Sequence, residues 1–81
     1  MKFPRDVSGE ELVRSLRRFG YEITRQTGSH IRVTLKFEGG EHHVTIPAHK
    51  HLKVGTVSGI LGDVAAQLGL TREQLIEQLF G

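Results

Sequence analysis

The spacing of hydrophobic positions changes twice along the chain, from helical to alternating and back to helical. Leu12, Val13, Leu16 and Phe19 recur at helical spacing, with Arg14, Arg17 and Arg18 on the other face. Ser8 followed by Glu11 makes a capping box: the Ser hydroxyl accepts the Glu11 backbone N–H while the carboxylate reaches back to Ser8. With Gly20 as a left-handed stop, a first helix is predicted over about residues 9 to 19. Tyr21 to Gln26 then places Tyr and Ile among Glu, Thr and Gln, which reads as a strand. After Thr27, Gly28 and Ser29 comes the clearest alternation. Ile31, Val33, Leu35 and Phe37 point one way and His30, Arg32, Thr34 and Lys36 the other, so this strand has a core face and a polar, basic face. Glu38, Gly39, Gly40 and Glu41 form a hairpin turn into a third strand, His42 to Ile46, with Val44 and Ile46 inward and His43 and Thr45 outward.

Pro47 to Gly55 opens with Pro and closes with Gly and reads as a basic loop. Thr56 is the expected cap of a second helix, whose Val57, Ile60, Leu61, Val64, Ala65 and Leu68 form one apolar stripe ending at Gly69. Thr71 and Gln74 make a second capping box, flanked by Leu70 and Leu75 as a hydrophobic staple, ahead of a short closing helix. The predicted fold class is α+β: three antiparallel strands between two helices, with a further short C-terminal helix. The helices lie on one sheet face and the His/Arg/Lys face is left open.

At 81 residues there is room for one domain and one core. The hydrophobic share of 37% and the 10 glycines are ordinary for a globular chain and argue against disorder or a coiled coil. No run approaches the roughly 18 to 20 apolar residues of a membrane span, and Met1 to Asp6 lacks the apolar stretch of a signal peptide, so a cytoplasmic location and no membrane association are expected. The absence of cysteine excludes disulfides, thiol nucleophiles and thiolate metal sites. The net charge of +2 conceals an asymmetry. Residues 1 to 53 carry ten of the eleven Lys and Arg against six acids, whereas the remainder holds only Arg72 against Asp63, Glu73 and Glu77. A polyanion is therefore expected on the first two thirds of the chain, the alternative being an ordinary solvated surface.

Among residues able to carry chemistry, His30 stands out at the start of the middle strand, directly after Gly28 and Ser29. Gly28 permits close approach of a backbone or phosphate, and Ser29 adds a hydroxyl and an N–H. Histidine takes and gives protons near neutrality, as general acid–base chemistry requires. Arg32, Thr34 and Lys36 follow it on the same face and offer donors and positive charge to a phosphodiester. This set suits RNA cleavage, in which the substrate's own 2′-OH is the nucleophile and the protein supplies a proton acceptor, a donor and cations. The plainer alternative is an exposed strand histidine without a role. His49 reads as a second proton-transfer group or a phosphate contact, and Lys50 and Lys53 on the same loop as cations that position a backbone. The adjacent His42 and His43 and the His49-x-His51 pair lack metal-ligand spacing and carboxylate or Cys company, so no metal is expected and no cofactor is called for. The Arg14, Arg17 and Arg18 cluster is either a solvated face or part of an RNA-facing helix.

Gly28-Ser29-His30 opening an alternating strand, Ile46-Pro47-Ala48-His49-Lys50 after the third strand, and Gly55-Thr56-Val57 with Ile60-Leu61 at the start of a helix together resemble the HicA-type mRNA interferase toxins of toxin–antitoxin pairs. The resemblance covers nearly the whole chain. It implies a double-stranded-RNA-binding-domain-like fold, in agreement with the order found from periodicity. It also implies an endoribonuclease acting on mRNA through one essential histidine, here His30, and a cognate HicB-type antitoxin that covers the active face. A non-catalytic nucleic-acid-binding module using the same basic face, and a protein–protein adaptor, are the alternatives.

Overall fold

A computed structural model describes residues 7 to 80. Met1 to Asp6, on which the expectation about a leader rests, lie outside the described residues. The order is α1 (Gly9–Arg17), β1 (Glu22–Thr27), β2 (His30–Phe37), β3 (Gly40–Pro47), α2 (Val54–Leu68) and α3 (Arg72–Phe80). This is the α+β arrangement of three antiparallel strands with an added C-terminal helix. The sheet has the order β1-β2-β3. α1 packs against β1 and β3, α2 against β3, and α3 against α2, so the helices form one layer over one face.

Both capping boxes form. The Glu11 N–H donates to Ser8 Oγ at 3.0 Å and the Ser8 N–H to Glu11 Oε1 at 3.2 Å. The Gln74 N–H donates to Thr71 Oγ1 at 3.0 Å and the Thr71 N–H to Gln74 Oε1 at 2.8 Å. α1 and α2 also end alike. The Tyr21 N–H reaches back to the Leu16 carbonyl and that of Gly20 to Arg17, with Gly20 at φ 100°, while Leu70 bonds to Ala65 and Gly69 to Ala66, with Gly69 at φ 71°. Each pair satisfies two carbonyls that the last helical turn leaves open.

Three local expectations are corrected. α2 begins at Val54 with Lys53 at its N-cap and no side-chain cap bond, so Thr56 lies inside the first turn. The exposed start of this helix leaves its free N–H groups to solvent, which removes the need for a capping hydroxyl. The β2–β3 turn consists of Glu38 and Gly39 alone, because Phe37 already pairs with Gly40. Phe37 is 44% exposed, because it is the last residue of β2 at the hairpin end of the sheet, where its ring rests over Gly40. Ile23 is 47% exposed, because β1 is an edge strand and the groove between it and α1 stays open, lined by Val13, Ile23 and Ile31.

The core centres on Leu12, Leu16, Tyr21, Val33, Ile46, Val57, Leu61, Val64 and Leu75, each essentially inaccessible to solvent. Its one large polar group is held by a directed contact. The Tyr21 hydroxyl lies 2.7 Å from His42 Nδ1, and His42 Nε2 lies 3.3 Å from Asp63 Oδ2. A hydroxyl donating to Nδ1 and an Nε2–H donating to the carboxylate satisfy both contacts, joining the entry to β1, strand β3 and α2. His42 therefore faces the core side, as its place in the alternation requires.

The second joint between layers is steric. Gly9, the first residue of α1, sits so close to the end of β3 that a Cβ there would overlap the Pro47 carbonyl oxygen and lie 3.0 Å from Ala48 Cα.

Two predictions follow from these contacts. Gly9→Ala raises helix propensity and still destabilises the protein by about 1–3 kcal/mol through overpacking. That is a fall in Tm of roughly 4 to 8 °C per kcal/mol, read by thermal melting, and an unchanged or higher Tm would contradict the packing. The Tyr21 hydroxyl is pushed up from 10.0 to about 12 by burial and then by the charge of Asp63. The unfolded chain ionises first, so this contribution to stability is whole below pH 10 and is lost as pH rises from 10 towards 12. Because Tyr21 is the only tyrosine, tyrosinate absorbance follows it alone. A folded-state midpoint near 10 would contradict the Tyr21–His42–Asp63 arrangement, and Tyr21→Phe should flatten the fall in stability over the same range.

Candidate nucleic-acid interface and active site

Gly28 and Ser29 form the two-residue turn between Thr27 of β1 and His30 of β2, which pair directly. Gly28 is left-handed at φ 54°, a conformation that a side chain disfavours, and among the described residues no atom beyond its two chain neighbours lies within 4 Å of where its Cβ would be. The glycine therefore serves the turn, and the space around it stays open to an approaching molecule. His30 is exposed at this end of the sheet, between Thr27 on one side and Pro47 on the other.

The same corner gathers the segment after β3. The Ala48 N–H donates to the Ser29 carbonyl at 2.7 Å, the Gly9 N–H to the His49 carbonyl at 2.9 Å, and the Leu52 N–H to the Val7 carbonyl at 2.9 Å. His49 and Lys50 are exposed and are carried on backbone tied to the Gly28-Ser29 turn and to the first residue of α1. Lys53 follows Leu52 towards the helix layer, at the N-cap of α2.

From His30 the open face runs along β2 in rows. Arg32 comes next, half-buried, with Thr45 opposite on β3 and Arg25 opposite on β1. Thr34 follows, and although it faces the open side it is only 3% exposed. Its hydroxyl lies 2.8 Å from Thr24 Oγ1 and 2.8 Å from His43 Nδ1, and His43 Nε2 lies 3.5 Å from Glu41 Oε1. One run of donors, from Thr24 to Thr34 to His43 and on to Glu41, accounts for these contacts across three strands. Lys36 ends the face opposite Glu41, three rows and about 20 Å from His30 at the usual rise per strand residue. Arg32 therefore stands one row from His30, whereas Lys36 stands at the far end of the open face.

The adjacent histidines point to opposite faces, and each has one ring nitrogen beside a hydroxyl and the other beside a carboxylate. No group of three or more potential metal-ligating side chains gathers among the described residues. Arg14 and Arg17 of α1, and Arg18 directly after it, lie in the helix layer. Arg18 donates to the Leu79 carbonyl in the last turn of α3 at 3.3 Å, and Arg14 and Arg17 border the groove beside Ile23. Arg25 is the basic residue that alternation alone misplaces: counted from Tyr21 and Ile23 it belongs to the helix side, yet it lines the open face with Arg32. An arginine at an apparently inward strand position is the one sequence signal that could have revealed the irregularity.

Comparison with curated proteins and with solved structures gave no match. The family described as the HicA toxin of bacterial toxin–antitoxin systems matches residues 9–70, from the first residue of α1 to just beyond the end of α2. That span holds the Gly28-Ser29-His30 turn, the whole open face and the pinned loop. By a match over most of its length, this chain belongs to the HicA toxin family of toxin–antitoxin systems.

Proposed function

We propose that the protein is an endoribonuclease acting on mRNA, with His30 moving a proton in a 2′-OH transphosphorylation. The 2′-oxygen attacks the adjacent phosphorus, the bond to the 5′-oxygen breaks, and the products are a 2′,3′-cyclic phosphate and a 5′-hydroxyl. The proton lost by the 2′-OH and the proton gained by the leaving oxygen are the two that the protein must handle. His30 handles one of them, and His49, on the loop held beside it, is the candidate for the other. Ser29 orients the group being cleaved. Arg32 and Lys50 neutralise the phosphate at which negative charge develops, Gly28 lets the backbone approach, and Lys36 and Lys53 hold more distant phosphates.

The observation that carries this reading is the corner itself: an exposed histidine at a strand start, next to a left-handed glycine turn whose Ser29 carbonyl anchors the His49-Lys50 loop. Membership of a toxin family supplies the partner. A cognate antitoxin of the HicB type binds the toxin and covers this face, in the cytoplasm where mRNA is met.

The test is incubation of purified protein and its His30→Ala variant with a structured RNA in EDTA, followed by analysis of fragment ends. Wild type should leave 2′,3′-cyclic or 3′-phosphate ends, and the variant should cleave at least about 100-fold more slowly. Equal cleavage by both proteins would remove His30 from the chemistry. Intact RNA in both lanes with a shifted complex would make the protein a nucleic-acid-binding module.

A further inference from the structure

We propose that Arg25 and Arg32 form a two-guanidinium clamp for a backbone phosphate next to the one on which His30 acts. This rests on the nuclease reading above and adds a subsite to it. The clamp is made by an irregularity in β1. Ile23 pairs with Val33, but the next pair is Arg25 with Arg32, so Thr24 is an extra residue on the edge strand. In an unbroken ladder Thr24 would oppose Arg32, and Arg25 would oppose Ile31 and face the helices. The extra residue turns Arg25 to the open face and Gln26 to the helix side, where Gln26 borders the groove with Ile23 and Ile31. Bulges re-aim side chains in this way.

The bulge is held in place. Thr24 Oγ1 lies 2.8 Å from the buried Thr34 hydroxyl and 3.5 Å from the Arg32 carbonyl. The result is two arginines directly opposite each other on neighbouring strands, an arrangement that is destabilising without a counter-charge. Among the described residues no carboxylate pairs with either guanidinium. Both border an open depression of about 380 Å³ that extends to Lys36 and, at its far end, to the Glu41–His43 pair. An anion seated between the arginines would relieve their repulsion, and two guanidinium forks match the oxygens of a phosphate. Arg32 is one row from His30, about 6.6 Å along the strand, a separation comparable with one step between consecutive phosphates of an RNA strand. A single strand lying along β2 would thus present one phosphate to His30 and the next to the arginine pair.

The experiment uses the His30→Ala protein, so that RNA stays intact, and a labelled single-stranded RNA titrated at several salt concentrations. Adding Arg25→Gln should make the slope of log affinity against log salt shallower by about 0.7, the value of one lost phosphate contact on a single strand. The affinity deficit should shrink about 2.5-fold between 50 and 200 mM salt. Without RNA, the Tm of the Arg25→Gln protein should equal or exceed that of its parent, because a like-charge pair has been removed. Arg14→Gln, in the helix layer, should leave the slope unchanged. Tight RNA binding with the same slope in the Arg25→Gln protein overturns the clamp and leaves the nuclease reading standing. No salt-dependent RNA binding by the His30→Ala parent overturns both. Unchanged RNA binding with weakened capture of the antitoxin would make the arginine pair a protein contact and also overturns the clamp.

Discussion

Three backbone hydrogen bonds hold the segment after β3 where it is: Ala48 to Ser29, His49 to Gly9, and Leu52 to Val7. The first ties it to the β1–β2 turn and the other two tie it to the start of α1. The tight fit of Gly9 under the Pro47 carbonyl closes the same junction sterically. Because a loop without such bonds samples many conformations at a cost of roughly 1–2 kcal/mol per residue ordered, these few contacts decide where the backbone of His49 and Lys50 runs relative to the turn that leads into His30. The proposed chemistry depends on that corner, and the rest of the fold serves to keep the turn, the strand end and the helix start in register.

A second organising element is the pair of adjacent histidines at the opposite end of β3. His42 and His43 point to opposite faces, yet each stands between a hydroxyl and a carboxylate, Tyr21 and Asp63 inside, Thr34 and Glu41 outside. The inner run joins the layers. The outer run crosses all three strands, buries Thr34 on a face otherwise open to water, and fixes the bulge at Thr24. Four of the five histidines divide by position along the sheet. His30 and His49 lie exposed at one end, while His42 and His43 are engaged in structural contacts at the other.

Much of the fold was legible in the chain because its signals were local and mutually consistent. Ser8-x-x-Glu11 and Thr71-x-x-Gln74 marked helix starts, Gly20 and Gly69 marked helix ends, and the run from His30 to Phe37 alternated without interruption. Signals failed where tertiary context decides. Ile23 and Phe37 are apolar strand residues, but nothing in their neighbourhood says that the first borders an open groove beside α1 and that the second ends its strand at the hairpin. Thr56 resembles a cap, but an exposed helix start needs none. At the candidate site, His30 was legible through its turn. The bonds from Ala48 to Ser29 and from Gly9 to His49 were not, because backbone pairing across distant segments leaves no mark in side-chain pattern. Arg25 was hidden by the bulge, since one inserted residue reverses every later facing assignment in a strand.

The measurement that tests the central claim most directly is an amide-shift map of the wild-type protein with an RNA carrying 2′-O-methyl groups, which binds but offers no nucleophile. If the corner is the site, the largest changes fall at Ser29, His30, Arg32 and Ala48 to Lys50, on two segments far apart in sequence and joined by the Ser29–Ala48 bond. Changes confined to Arg14, Arg17 and Ile23, on the α1–β1 groove, with the corner unmoved, would contradict it.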